Sequence, residues 1–175
     1  MSPVISALSK AGIAAVAVIL VLARMRRGRH GDMAGFGFTR PKLVPAFVLL
    51  AVYLGWMLVS DALLHWRGPW DFRPWMQAPI AASALRILAV CVLGPAAEEL
   101  LFRGLLFRWL GDRLPIFATI GITAVSWALL HWSYSWAVIG VIVVDGLLLG
   151  LARWRTGSVL PPIVMHALYN LYAIW

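Results

Sequence analysis

The chain is poor in charged residues and in cysteine, and both shortages limit what it can be. Only 13% of its 175 residues are charged, whereas 62% are hydrophobic and the mean hydropathy is +0.87. A soluble domain of this length does not have enough interior to bury that much apolar surface. The single cysteine, Cys91, excludes an internal disulfide framework. We therefore expect an all-α protein, a polytopic bundle of membrane helices.

Acidic residues are also scarce, with 7 Asp and Glu against 15 Lys and Arg, which gives a net charge of +8. A basic excess of this kind can indicate nucleic-acid binding. Here the basic residues stand in short segments between apolar runs rather than along one solvated face, so we predict no nucleic-acid partner. Many of the ten tryptophans stand at the ends of apolar runs, which is typical of a membrane–water interface.

Six apolar runs divide the chain and predict about six transmembrane helices. They cover approximately residues 4–23, 43–64, 78–108, 115–132, 136–152 and 159–175. The basic flank of the first run follows its apolar core, whereas a signal peptide carries its charge before the core, so we interpret this run as a retained span. We expect one membrane domain in two parts. Residues 1–77 would form two N-terminal helices with linkers, and residues 78–175 a four-helix core.

The basic residues alternate between loops and so predict an orientation. Most follow the first, third and fifth runs, namely Arg24, Arg26, Arg27, Arg29, Arg40, Lys42, Arg108, Arg113, Arg153 and Arg155. The loop after the second run carries only Arg67 and Arg73, and the loop after the fourth carries none. Because cytoplasmic loops are enriched in Lys and Arg, we expect the basic loops to face the cytoplasm and both termini to lie on the opposite side.

The third run contains Glu98, Glu99 and Arg103, where apolar residues would be expected. An ionisable group inside a membrane segment is costly and indicates a functional site by default. On a helix, Glu99 and Arg103 lie one turn apart on one face, whereas Glu98 points about 100° away from Glu99. We predict that Arg103 neutralises Glu99 and that Glu98 faces something else.

Further polar residues lie at membrane depth, namely His131, Asp145, His166 and Asn170. The register of an antiparallel hairpin places Glu98 within one helical turn of the level of His131. His166 and Asn170 are four residues apart and share one face of the sixth run. If the hairpins pack face to face, these residues share one polar cavity. We expect that cavity in the cytoplasmic half, because the amphipathic segment 102–112 would protrude into the cytoplasm.

A carboxylate, two imidazoles and a carboxamide can hydrolyse a peptide bond without a covalent intermediate. Glu98 and His131 can activate one water molecule, while His166 and Asn170 can donate hydrogen bonds to the developing oxyanion. The same two histidines with Glu98 can instead hold zinc with an open fourth position. The chain contains neither HExxH nor GxSxG, the familiar signatures of helical zinc proteases and serine hydrolases.

Three motifs, in this order, resemble those of the CAAX protease and bacteriocin-processing (CPBP, or Abi) family of intramembrane glutamic-type endopeptidases. They are EELLFR (Glu98 to Arg103), WALLH (Trp127 to His131) and HALYN (His166 to Asn170). The first matches EExxxR, and the second resembles FxxxH with tryptophan in place of phenylalanine. We expect the Trp127 ring to pack rather than react. The resemblance covers about residues 80–175.

The resemblance implies a role for each motif residue. Glu98 would act as general base on water, assisted by His131, and His166 with Asn170 would form the oxyanion site. Glu99 and Arg103 would be structural support, and Asp145 has no role in the motifs. The resemblance implies a mechanism without a cofactor, and zinc held by Glu98, His131 and His166 is the alternative.

The resemblance also implies a membrane-embedded CAAX-type protease at the lipid bilayer, cleaving near the C-terminal or membrane-proximal tail of a peptide or protein substrate. A prenylated tail is the eukaryotic precedent. The high Trp, Ala and Leu content is typical of a bacterial protein, so we expect the bacterial cytoplasmic membrane, where a prenyl tail is a weaker expectation. Bacterial relatives of the family are linked to peptide maturation, to immunity against bacteriocins and to removal of C-terminal protein-sorting tails, and the resemblance leaves these substrates open, with the sorting tail as one expectation for a small member. Two other functions stay open: a proton-coupled transporter and a catalytically idle protein that binds a membrane partner. The chain shows no internal repeat typical of transporters, and its complete motif set argues against idleness.

Overall fold

The computed structural model describes residues 3–27, 33–64 and 79–174. Within these ranges the chain forms six helices and no strand, which confirms the predicted all-α class. The helices are α1 Pro3–Arg26, α2 Leu43–Leu64, α3 Ile80–Gly111, α4 Ile116–His131, α5 Trp136–Thr156 and α6 Leu160–Ala173. Arg29 of the first basic loop and the linker with Arg67 and Arg73 lie outside the described residues.

Three of the helices are long and apolar enough to cross a membrane. They are α2, α3 and α5, with 22, 32 and 21 residues, against about 20 needed to span the hydrocarbon core. The outer face of α2 exposes large apolar side chains, such as Val44 at 76% and Phe47 at 67%. Such a surface is stable against lipid and unstable against water. The protein is therefore an integral membrane helix bundle, and six spans with both termini outside the cytoplasm stay predictions.

Helix α3 is continuous but irregular. Its stretches Leu88–Leu93 and Leu100–Leu106 are π-helical, and they flank a short α-helical segment, Gly94–Glu99. π-Helical turns are rare and occur most often at functional sites, because the extra residue per turn redirects the side chains that follow. The two glutamates lie between these stretches.

One end of the bundle, which we call the basic end, contains the last turns of α1, α3 and α5 and the first turns of α2, α4 and α6. Backbone hydrogen bonds join the loops there: Lys42 N–H donates to Thr156 O at 3.1 Å, and Val159 N–H donates to Gly37 O at 2.9 Å. Gly157 ends α5 in the left-handed conformation, with φ at +74°, as is usual for a helix C-terminus. The basic end is thus closed by bonded turns.

Helices α4 and α5 pack closely at Gly146. A Cβ at this glycine would lie 2.9 Å from Cα of Ala124, which leaves no room for a larger residue. Small residues let membrane helices approach closely. The close approach brings the Gly146 carbonyl, in the middle of α5, to the arginine of α3.

Candidate active site

The ion pair predicted within α3 is present. Arg103 Nη1 donates to Glu99 Oε1 at 2.9 Å, and both side chains are 0% exposed. Arg103 Nη2 donates to the Gly146 carbonyl at 2.9 Å, and its guanidinium lies 4.9 Å from the ring centroid of Trp127. Glu99 and Arg103 therefore join α3 to α4 and α5 at a point without access to solvent. We call Glu99, Arg103 and Gly146 the buried network.

His166 connects the buried network to Glu98. Its Nδ1 lies 3.0 Å from Glu99 Oε1, and its Nε2 lies 4.0 Å from Glu98 Oε2. An ionised carboxylate only accepts hydrogen bonds, so Nδ1 carries a proton in this contact. Glu99 thereby fixes the ring and directs its other nitrogen toward Glu98.

Glu98 turns away from Arg103 and faces a cavity, as its position on the helix predicts. Its side chain is 34% exposed, against 0% for Glu99. Trp127 Nε1 donates to Glu98 Oε2 at 2.6 Å. The expectation that Trp127 only packs was therefore incomplete. The sequence signal was the replacement of phenylalanine by tryptophan, because only the indole brings an N–H donor.

His131 lies one turn beyond Trp127, in the cavity wall. Its ring makes an edge contact with the Trp127 ring, with centroids 5.5 Å apart, and a tilted contact with Tyr134 at 5.7 Å. Its Nδ1 lies 3.3 Å from the Trp127 carbonyl oxygen. The predicted register is thus correct to within one helical turn, with Trp127 at the level of Glu98.

Asn170 donates a hydrogen bond to a backbone carbonyl of α3 that has no N–H donor in the π-helical pattern of that helix. Gly94 N–H donates to Ala89 O, five residues back, in the π-helical pattern. The next donor in this pattern would be Pro95, which has no N–H, so the carbonyl of Val90 needs another partner. Asn170 Nδ2 donates to Val90 O at 2.8 Å. The second N–H of the carboxamide is left for another acceptor.

All six helices contribute to the cavity, which has a volume of about 560 Å³. Its lining includes the four predicted catalytic residues and Asp145, that is Glu98, His131, Asp145, His166 and Asn170. Glu99 and Arg103, predicted as support, are not among its lining residues. The first two helices, which carry none of the three motifs, also contribute, with Ala17 from α1 and Tyr53 from α2.

The position of the cavity along the bundle differs from our expectation. It extends from the middle of the bundle to the end opposite the basic end, where His131, Tyr134 and Ala173 line it. We expected it in the half next to the basic loops, because segment 102–112 was expected to protrude. Instead α3 stays helical to Gly111, and Arg103 fills the interior on that side. The cavity does not lie in the half next to the basic loops, so the expectation that it shares the half of the bundle with those loops is wrong.

A metal site needs several donor side chains arranged around one point. Among residues 3–27, 33–64 and 79–174, no group of three or more His, Cys, Asp or Glu side chains is arranged to hold a metal ion. His166 Nδ1 already contacts Glu99. The described geometry therefore does not assemble Glu98, His131 and His166 as zinc ligands.

A comparison with protein families supports the resemblance seen in the motifs. The family model described as Type II CAAX prenyl endopeptidase Rce1-like matches residues 80–172. The chain belongs to this family. The matched region begins with α3 and contains all three motifs, so every predicted catalytic residue of this family member lies within it.

Individual relatives add little on function. A curated Escherichia coli protein, named "Uncharacterized 24.3 kDa protein", is 29% identical to this chain over 129 residues. The similarity covers 72% of this chain and 58% of that protein, so the chain spans less than two thirds of the relative it matches. The search of solved structures found no significant match.

Proposed function

We propose that the chain is an intramembrane endopeptidase that hydrolyses a peptide bond near the C-terminal or membrane-proximal tail of a peptide or protein substrate. One observation carries the proposal: Glu98, His131, His166 and Asn170 line a single cavity of about 560 Å³. The adjacent Glu99 is fully buried and paired. Membership of the Rce1-like family supports the class of reaction.

The geometry suggests a division of labour in the proposed reaction. Trp127 holds Oε2 of Glu98, so Oε1 is the oxygen that takes a proton from water. His131 assists at the same water, which attacks the scissile carbonyl carbon. The oxyanion accepts hydrogen bonds from the second Asn170 N–H and from His166 Nε2 when that nitrogen is protonated. Collapse breaks the C–N bond, and the leaving amine takes the proton from Glu98.

The proposal also includes the side of the membrane from which the substrate reaches the cavity. If the basic loops face the cytoplasm, the cavity lies in the opposite half of the bilayer, because His131 and Ala173 line it at the end remote from those loops. The scissile bond would then be reached from the non-cytoplasmic side. We place the protein in the cytoplasmic membrane of a bacterium.

The direct test incubates the purified protein in detergent with a library of membrane-tail peptides and reads cleavage by mass spectrometry. Glu98→Gln keeps the shape of the side chain but removes the base, so we expect turnover to fall by about 10²–10⁴. The melting temperature should stay close to that of the wild type, because the glutamine carbonyl can still accept the hydrogen bond from Trp127 and Glu98 lies outside the buried network. Asp112→Asn, at an exposed carboxylate of the basic end, is the matched control and should cleave normally.

Three outcomes would replace the proposal or part of it. Cleavage that survives Glu98→Gln would remove Glu98 as the base. Activity that a chelator abolishes and zinc restores would replace the metal-free mechanism by a metal-dependent one. Ion flux through liposomes without cleavage of any library peptide would favour a transporter.

The proposed orientation has a test that needs no activity. Cys91 is the only native cysteine, so a Cys91→Ala protein accepts single reporter cysteines. Ser133→Cys stands at the cavity end and Asp112→Cys at the basic end. In intact spheroplasts, we expect a membrane-impermeant maleimide to label residue 133 but to label residue 112 only after lysis. The reverse pattern would place the cavity on the cytoplasmic side.

A further inference from the structure

Asp145 is a buried carboxylate in the cavity wall for which the three motifs provide no role. It lies in the first half of α5 and is 2% exposed, and its Oδ1 has no hydrogen-bond partner among the described residues. Burying a carboxylate without full pairing is costly. Inside a membrane segment, such a group indicates a function, and its partner needs to be identified.

One more polar group that interacts with Asp145 is unsatisfied within the described ranges. The hydroxyl of Tyr53 on α2 is 1% exposed, has no hydrogen-bond partner and interacts electrostatically with Asp145. The indole N–H of Trp56, three residues further along α2, faces the same carboxylate as a donor. A buried open acceptor beside an open hydroxyl is rare in proteins and needs a ligand or water to complete it.

The basic groups that face Asp145 are already committed elsewhere. His166 is the first of them, and its Nδ1 contacts Glu99 Oε1 at 3.0 Å. Arg103 also interacts electrostatically with Asp145, but its two terminal nitrogens donate to Glu99 and to the Gly146 carbonyl, both at 2.9 Å. The described lining of the cavity contains two carboxylates, Glu98 and Asp145, and two imidazoles, but neither Lys nor Arg. Charge complementarity therefore favours a cationic group inside the cavity over an anionic one.

We propose that Asp145 and Tyr53 form a subsite for a lysine or arginine side chain of the substrate, next to the scissile bond. Such a cation would donate one hydrogen bond to Asp145 Oδ1 and a second to the Tyr53 hydroxyl oxygen. It would enter through the open end of the cavity that His131 and Ala173 line. The subsite rests on the proposed peptidase function, and it would make the enzyme prefer tails with a basic residue beside the cleavage site.

The test uses matched peptides from a cleaved tail sequence that carry lysine, norleucine or glutamate at each position near the scissile bond. At one position, we expect kcat/KM for lysine to exceed that for norleucine by about 30-fold, as for a desolvated charge pair. Asp145→Asn should bring this ratio close to one, and Tyr53→Phe should lower it. Asp112→Asn should leave it unchanged. A ratio near one in the wild type, or a ratio that Asp145→Asn does not change, would overturn the subsite.

A binding measurement separates this proposal from the peptidase function. In the Glu98→Gln protein, fluorescence anisotropy of labelled library peptides that carry lysine or norleucine at one position reports affinity, whether or not the wild type cleaves them. We expect tighter binding of the lysine peptide in Glu98→Gln and equal binding in Glu98→Gln with Asp145→Asn. If no peptide is cleaved but this difference appears, the subsite stands and the peptidase function fails. If peptides are cleaved but the affinities are equal, only the subsite fails.

Discussion

Glu98 and Glu99 are neighbours in α3 but lie on different faces of the helix, Glu98 toward the cavity and Glu99 toward the buried interior. Glu99 is fully buried and contacts Arg103 and His166 through the same oxygen. Glu98, one residue earlier, is 34% exposed to the cavity and receives a single hydrogen bond from Trp127. Neighbouring identical side chains thus acquire separate environments from the angle between them on the helix.

The buried face joins the helices, and the cavity face carries the residues of the proposed chemistry. A carboxylate that already pairs with a guanidinium and an imidazole is a poor base, because its charge is neutralised and no water reaches it. A carboxylate that shares a cavity with an imidazole and a carboxamide can bind water and substrate. His166 belongs to both faces, since one nitrogen contacts Glu99 and the other points toward Glu98. Changes on the two faces should therefore affect different measurements.

The largest effect on folding is expected from Arg103→Met. The change removes the guanidinium from the buried Glu99, which keeps only the contact with His166, and it also removes the bond to the Gly146 carbonyl. Breaking a buried pair in this way costs about 3–5 kcal/mol of the free energy of unfolding. We expect a markedly lower melting temperature in detergent, measured by thermal unfolding of the purified variant beside the wild type.

The same helix offers a matched control at its exposed end. Arg108 and Asp112 form a second pair with the same spacing, at 3.3 Å, but their side chains are 48% and 50% exposed. Arg108→Met should change stability by less than about 1 kcal/mol, because exposed pairs contribute little. Equal losses in the two variants would contradict the contrast between the buried and exposed pairs.

Local geometry explains why some parts of the site could be predicted from the sequence and others could not. The pairing of Glu99 with Arg103 follows from helical spacing alone, and the approach of Glu98 to α4 follows from hairpin register. The bond from Asn170 to Val90 joins residues 80 positions apart and depends on the π-helical stretch before Pro95. Spacing patterns do not encode such tertiary bonds. The position of the cavity depends likewise on tertiary packing, since all six helices contribute to its lining.

On the cavity face, the largest effect after loss of Glu98 is expected from Asn170→Ala. The proposed oxyanion loses one donor, and removal of such a donor typically lowers kcat by about 10²–10³. The change also leaves the Val90 carbonyl without its partner, so the melting temperature should fall as well. Stopped assays at several substrate concentrations would separate kcat from KM, and we expect the loss in kcat.

A second substitution separates the two roles of Asn170. Pro95→Ala restores an N–H at the position from which the π-helical pattern would donate to Val90 O. In the double variant with Asn170→Ala, we expect the melting temperature to recover in part while kcat stays low. If kcat recovered together with the melting temperature, Asn170 would be only a structural bond and not part of an oxyanion site.

The smallest of these effects, and the most specific to this chain, concerns Trp127→Phe. The phenyl ring keeps the contacts with His131 and His166, whose ring centroids lie 5.5 and 5.0 Å from that of Trp127, but it cannot donate to Glu98. Glu98 then loses the donor that fixes one of its oxygens, so we expect kcat to fall by about tenfold, which is less than the loss expected when the general base itself is removed. Trp154→Phe, at the ring contact with Phe117 near the basic end, is the control and should leave kcat unchanged. An unchanged rate in Trp127→Phe would mean that the rest of the cavity already holds the Glu98 carboxylate in place without the indole N–H. The tryptophan of this motif would then be equivalent to phenylalanine.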